Sequence, residues 1–131
     1  MNPKPIKCIL IIEDEADITM YLTAIFEDSG YKVETAANGT EAMHKIKKKR
    51  PDLISLDISL PERTGVNIYC ELKEDPVLAA IPVVMVTGIQ KEFQRYIDSR
   101  KNLPPPDGYI SKPFQASELI NVVSKLLNAH K

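Results

Sequence analysis

Tryptophan is absent from the 131-residue chain, cysteine occurs twice and glycine five times. Two cysteines, Cys8 in an apolar run and Cys70 in a helical pattern, exclude a disulfide scaffold and lack metal-ligand spacing. They read as core-filling thiols of a reducing cytoplasm. Neither sign of charge dominates: 17 basic and 18 acidic residues leave a net charge of −1, which gives no general reason to bind nucleic acid. No apolar run is long enough to cross a membrane. The opening "MNPKPIKCILIIED" carries lysines and a short apolar stretch, but acids cut it off too early for a signal peptide. Repeats, linkers and low-complexity tracts are also missing, so residues 1–131 read as one domain, large enough to bury a core without staples. The one basic cluster, "KIKKKRPD" (45–52), reads as the solvated end of a helix, where lysines complement the dipole, rather than as a nucleic-acid patch.

Strand-like and helix-like patterns alternate five times. Apolar runs occur at "CILII" (8–12), "YKVETA" (31–36), "DLISL" (52–56), "PVVMV" (82–86) and "GYIS" (108–111). Between them, Ile18, Tyr21, Leu22, Ile25 and Phe26 follow helical spacing, with Gly30 placed to end that helix. "NGTEAMHKIKKK" sets Ala42, Met43 and Ile46 on one face behind Asn38 as N-cap. Further helices are expected over 64–75, over 88–102 and in "QASELINVVSKLLNAHK". Five β–α units in series predict an α/β fold, a doubly wound parallel sheet in the order 2-1-3-4-5 with five helices, flavodoxin-like. Continuous aliphatic runs suit central strands for the first, third and fourth, whereas "YKVETA" alternates and suits an edge. "NLPPPDG" (102–108) reads as a stiff loop into the fifth strand.

Ligands of open parallel sheets bind outside the carboxyl ends of the strands, where strand order reverses. Four of the strands end in chemistry: Glu13 and Asp14 after the first, Asp57 after the third, Thr87 after the fourth and Lys112 after the fifth. Taken singly, each has a plainer reading. Glu15 and its neighbours would favour a helix dipole, Asp57 would open a turn, Thr87 would cap a helix and Lys112 would be a solvated lysine. Jointly they predict one cleft with three carboxylates, a hydroxyl and an ammonium. Hard oxygen donors with room for water suit Mg²⁺. One carboxylate can then act as nucleophile toward phosphorus, while metal and ammonium offset the charge of the transferring group.

These residues resemble the receiver domain of two-component response regulators, chemotaxis-type single-domain members included, over essentially the whole chain. The motifs are the "ED" pair at 13–14, "LDISLPERTG" at 56–65, "VMVTG" at 84–88 and "YISKPF" at 109–114. The resemblance implies a signalling switch rather than an enzyme. Asp57 would be the phosphoacceptor, receiving phosphate from a histidine kinase or a histidine phosphotransfer protein. Asp14 and Asp57 would ligate Mg²⁺ with the backbone carbonyl of Ser59, and Glu13 would reach it through water. Lys112 would pair with the phosphoryl group, and Thr87 would bond it as Tyr109, the switch aromatic, turns inward. An ordinary half-buried sheet aromatic is the competing reading for Tyr109. The output surface would be the fourth helix, fifth strand and fifth helix, offered to a downstream effector or to a second copy in a phosphorylation-dependent homodimer.

Departures from the family lie at Glu62 and Arg63, where many relatives have a glycine and an apolar residue, and at the extra "PPPD" beside the output surface. Ser59 and Ile89 flank the position where relatives tune hydrolysis of the phosphate. The alternative within the family is a receiver excised from a hybrid kinase or transcriptional regulator; the methionine start and the end just after the last helix are read as favouring a complete protein. An aspartyl phosphatase would want a second acid two residues after its nucleophile, but Ile58 and Ser59 follow Asp57. A flavin module would offer hydroxyls and amides where "EDEAD" offers negative charge.

Overall fold

Aliphatic runs with no polar alternation can hide only between two layers, and the chain builds them into the middle of a sheet. The computed structural model describes residues 6–57, 65–87, 106–111 and 113–129. Its elements run β1 (Cys8–Ile12), α1 (Ala16–Asp28), β2 (Lys32–Ala36), α2 (Gly39–Lys48), β3 (Leu53–Leu56), α3 (Gly65–Glu74), a 3-10 turn (Leu78–Ala80), β4 (Val83–Thr87), β5 (Gly108–Ser111) and α4 (Ala116–Ala129). The strands form one parallel sheet in the order β2-β1-β3-β4-β5, as the pattern predicts. Four α-helices stand among the described residues. The helix expected over 88–102, the loop at 102–105 and the residues Glu62, Arg63 and Ile89 lie outside them.

Period-two alternation divides the core. Leu10, Ile12, Ile54, Leu56, Val83 and Met85 face α2 and α3, where Met43, Ile46, Ile68 and Leu72 meet them. Ile9, Ile11, Leu53, Val84, Val86 and Ile110 face α1 and α4, against Leu22, Phe26, Leu119 and Val123. β2 at the edge is buried only at Ala36. Of the five apolar positions expected to bury one face of α1, Leu22, Ile25 and Phe26 are buried, Ile18 is partly buried and Tyr21 is not. It is 46% exposed at the rim of the helix, with its ring 5.7 Å from that of Phe114.

Local chemistry fixes the element ends. Gly30 takes φ 92, and the amides of Gly30 and Tyr31 donate to the carbonyls of Glu27 and Phe26. That is a Schellman turn, and the Phe26 and Tyr31 rings meet edge-on across it at 6.4 Å. Asn38 accepts from the Glu41 amide at 2.8 Å while Glu41 accepts from the Ala37 amide at 2.6 Å, so two orphan donors are satisfied at the start of α2. Lys45, Lys47 and Lys48 fill its last turn, where cations suit the carbonyl end.

A feature the pattern does not reveal recurs at the amino edge of the sheet. Asp52 precedes β3; its side chain accepts from the Cys8 amide at 2.7 Å and its own amide donates to the Cys8 carbonyl. Asp107 precedes β5 and repeats the clamp on Val83, with the side chain accepting at 2.8 Å. Each aspartate thereby extends a parallel ladder by one reciprocal pair.

Candidate functional site

Strand order reverses between β1 and β3, and these two strands are direct neighbours with Ile12 opposite Leu56. The next residue on each is therefore an acid beside an acid. The Asp57 amide donates to the Ile12 carbonyl at 3.1 Å, and the Glu13 amide donates to the Ala36 carbonyl of β2 at 3.0 Å. Sheet hydrogen bonding thus carries both main chains one residue past the strand ends. Glu13 is 3% exposed and Asp57 4%, whereas Asp14 faces solvent. Glu13, Asp14 and Asp57 each bring a carboxylate oxygen within 4.8 Å of the other two.

Three like charges so close repel one another, and two of them are removed from water. One of the features that offset this lies at the start of α1. The Glu13 carboxylate accepts from the Glu15 amide at 3.2 Å, at the start of α1, where the helix dipole favours negative charge. Glu15 itself is the N-cap of α1 without a side-chain capping bond. Its backbone carbonyl, not its carboxylate, holds the Thr19 amide and hydroxyl. An all-oxygen donor set with one exposed member fits a hard divalent cation that keeps several waters, and Mg²⁺ is of that kind.

The other expected members are placed unequally. Thr87 ends β4 opposite Ser111 of β5, on the same edge as the carboxylates, though its side chain lies outside the described residues. Lys112 and Ser59 also lie outside them. Tyr109 is half-buried on β5 opposite Met85 and packs against the core layer beneath α2 and α3. That placement suits both the switch aromatic and the plain sheet aromatic.

Tyr69 stands outside the set of residues expected from the sequence. It is wholly buried on α3, with the Lys73 ammonium 5.4 Å from its ring centre. Burial, followed by the nearby Asp107 and Tyr109, pushes its phenol well above the ordinary range. Helical spacing with Ile68 and Leu72 marks position 69 as inward, but its neighbours on β5 are visible only once the sheet is assembled.

Comparison with known proteins follows the same lines. Residues 9–124 match the family described as the response regulator receiver domain. Protein Rrf1 of Nitratidesulfovibrio vulgaris is 31% identical over 119 residues, covering 91% of this chain and 81% of the relative. Several longer curated relatives are transcriptional regulatory proteins, and this chain spans about half their length. Among solved structures, the signal receiver domain of a histidine kinase from Syntrophus aciditrophicus superposes with a TM-score of 0.85 at 33% identity, over 95% of this chain and 92% of that one. The receiver domain of sensor histidine kinase PA1611 from Pseudomonas aeruginosa shares the fold at 22% identity, with a TM-score of 0.83, over 95% of this chain and 99% of that one; its structure has a magnesium ion coordinated in the active-site cleft.

Proposed function

The chain belongs to the response regulator receiver family, and from that premise we propose that it is a phosphorylation-activated switch with Asp57 as phosphoacceptor. The observation that carries this reading is the position of Asp57. It is buried at the end of β3, at the reversal of strand order, with the carboxylates of Glu13 and Asp14 within 4.8 Å.

A carboxylate oxygen of Asp57 attacks the phosphorus of a phosphohistidine on a histidine kinase or histidine phosphotransfer protein. The new bond is O–P, the P–N bond breaks, and the imidazole leaves with the electron pair. Asp14, Asp57 and the Ser59 carbonyl would hold Mg²⁺, with Glu13 reaching it through water; the ion would neutralise charge on the phosphoryl oxygens. Lys112 pairs with the same oxygens, and the Thr87 hydroxyl donates to one of them once Asp57 is modified. Phosphorylation of an ordinary side chain adds about −1.5 to −2 charge, and an acyl phosphate adds a comparable amount. Motion of Thr87 toward it would let Tyr109 turn inward and alter the output surface expected of residues 89–101, β5 and α4. That face docks a downstream effector or a second copy of the chain. Because the chain spans about half of several longer relatives, a second reading keeps the same chemistry and places this receiver within a hybrid kinase or transcriptional regulator.

The test is incubation with acetyl phosphate, with and without Mg²⁺, of the wild type and of Asp57→Ala, read by intact mass and by lability to hydroxylamine. The expected result is a Mg²⁺-dependent phosphate adduct that hydroxylamine removes and the variant lacks. An adduct that persists in Asp57→Ala would overturn the assignment of Asp57.

A further inference from the structure

At the opposite end of β1 from the carboxylates lies a cavity of about 230 Å³ with an apolar floor and a basic rim. Cys8, Leu10 and Pro51 form the floor, and Lys45, Lys48 and Lys49 line the side toward the end of α2. We propose that this cavity is a binding site for a small organic carboxylate with a compact apolar body. The site is separate from Asp57 and its recognition does not rest on phosphorylation.

Charge selects the ligand's sign. The Lys45 ammonium is already engaged by the Glu41 carboxylate at 3.6 Å and by the Thr35 carbonyl. Lys48 and Lys49 have no ion-pair partner among the described residues; the one acid in the lining is Glu34, and the Asp52 carboxylate beside the floor is occupied by the Cys8 amide. Two ammonium groups without an ion pair, only partly balanced by these acids, therefore call for an anion. Their aliphatic stems extend the apolar wall toward the rim, as long cationic side chains commonly do. The volume lies below that of drug-sized pockets, which run from about 300 Å³ upward, so the apolar part must be compact.

The chemistry is binding and not covalent capture. Burial, and then Glu34, raises the Cys8 thiol above its ordinary range, with Lys49 and Lys32 opposing; a thiol held protonated is a poor nucleophile. Nor does a dianion suit the site as well as a monoanion, because Glu34 and the carbonyl end of α2 temper the two lysines.

Benzoate, its neutral isostere benzamide, and acetate, which lacks the apolar body, separate these requirements. Each is titrated into the full chain while amide NMR shifts of Cys8, Leu10 and Lys49 are followed. Benzoate is expected to give saturable shifts, with benzamide and acetate binding at least about tenfold more weakly. The surface variant Lys48→Gln/Lys49→Gln should weaken benzoate about tenfold or more, and Cys8→Met, which fills the floor, should abolish saturation. Thermal unfolding checks that both variants fold; Lys48 and Lys49 are exposed, so their replacement leaves the core intact. Linear benzoate shifts, equal affinity for benzamide, or an unchanged affinity in the double lysine variant would each overturn the site.

Discussion

Replacing Asp57 by asparagine should make the metal-free protein more stable. The buried pair is Glu13 and Asp57, at 3% and 4% exposure, with carboxylate oxygens within 4.8 Å. Two unit charges at that distance repel by about 3.5 kcal/mol at an effective dielectric of about 20, and by about 0.9 kcal/mol in bulk water. Asparagine keeps the shape and one acceptor oxygen while removing the charge; set against the polar contacts that the Asp57 carboxylate also makes, the expected net gain is about 1–3 kcal/mol. For a chain of 131 residues, each kcal/mol shifts the unfolding midpoint by about 4 °C, giving a rise of about 4–12 °C in EDTA. Mg²⁺ should reverse the ranking. At a hundredfold excess over its dissociation constant a native-state ligand adds about 2.7 kcal/mol to the wild type, and the variant, short of one anionic donor, should gain less than half of that. Circular dichroism melts of both proteins, in EDTA and in saturating Mg²⁺, measure all four values. A midpoint that falls or stays level for Asp57→Asn in EDTA would refute the repulsion argument. Equal gains from Mg²⁺ would refute the assignment of Asp57 as a metal donor.

Three further outcomes are expected. Tyr69 holds its proton in the folded state above the ordinary phenol range, so its contribution is complete below about pH 10 and is lost as pH rises beyond, at up to about 1.4 kcal/mol per pH unit. Denaturant melts in alkaline buffers should show a shallower decline for Tyr69→Phe, with the remaining slope due in part to Tyr31, whose phenol burial also raises; parallel declines would contradict this. Gly108→Ala places a methyl carbon 2.7 Å from Val122 Cγ1 and should cost about 1–3 kcal/mol, most of it recovered when Val122→Ala is added; full additivity in that double-mutant cycle would show the clash is not the cause. Asn38→Ala removes the N-cap of α2 and should lower unfolding free energy by about 1 kcal/mol, an effect whose absence in urea melts would mean that Glu41 suffices.

The central strands were legible because burial on both faces leaves little room for polar residues, and before Thr87 the strands β1, β3 and β4 carry Ser55 alone. The convergence of Glu13, Asp14 and Asp57 was legible for a related reason: in a parallel sheet all strand ends of one kind share an edge, so order alone brings their residues together. Gly30 and Asn38 announce their turns through local chemistry. Asp52 and Asp107 did not announce theirs. Read along the chain, Asp52 is merely the first residue of "DLISL", and its partner Cys8 lies 44 positions away. Tyr21 illustrates the converse. Helical spacing places it with Leu22 and Phe26, yet the width of the buried stripe is decided by what packs on α1, and Phe114 meets Tyr21 at the rim. The 3-10 turn at Leu78–Ala80 is likewise unmarked in the sequence. It rests on the Asp75 carboxylate accepting from the amides of Val77 and Leu78, a tie between side chain and backbone that no apolar period encodes.

The ladder bonds that run one residue beyond β1 and β3 bear on how a signal can leave this molecule. The amides of Glu13 and Asp57 are tethered to Ala36 and Ile12, which welds the floor beneath the carboxylates to three adjacent strands. If Asp57 takes up a negative group as proposed, that group arrives on an anvil. The backbone under it is held by ladder bonds on both residues, so the change would be taken up more readily by side chains and by whatever borders the cleft above the sheet. Under the proposed switch, what the signal becomes is then decided above the sheet, on the helical faces, and not in the floor that receives it.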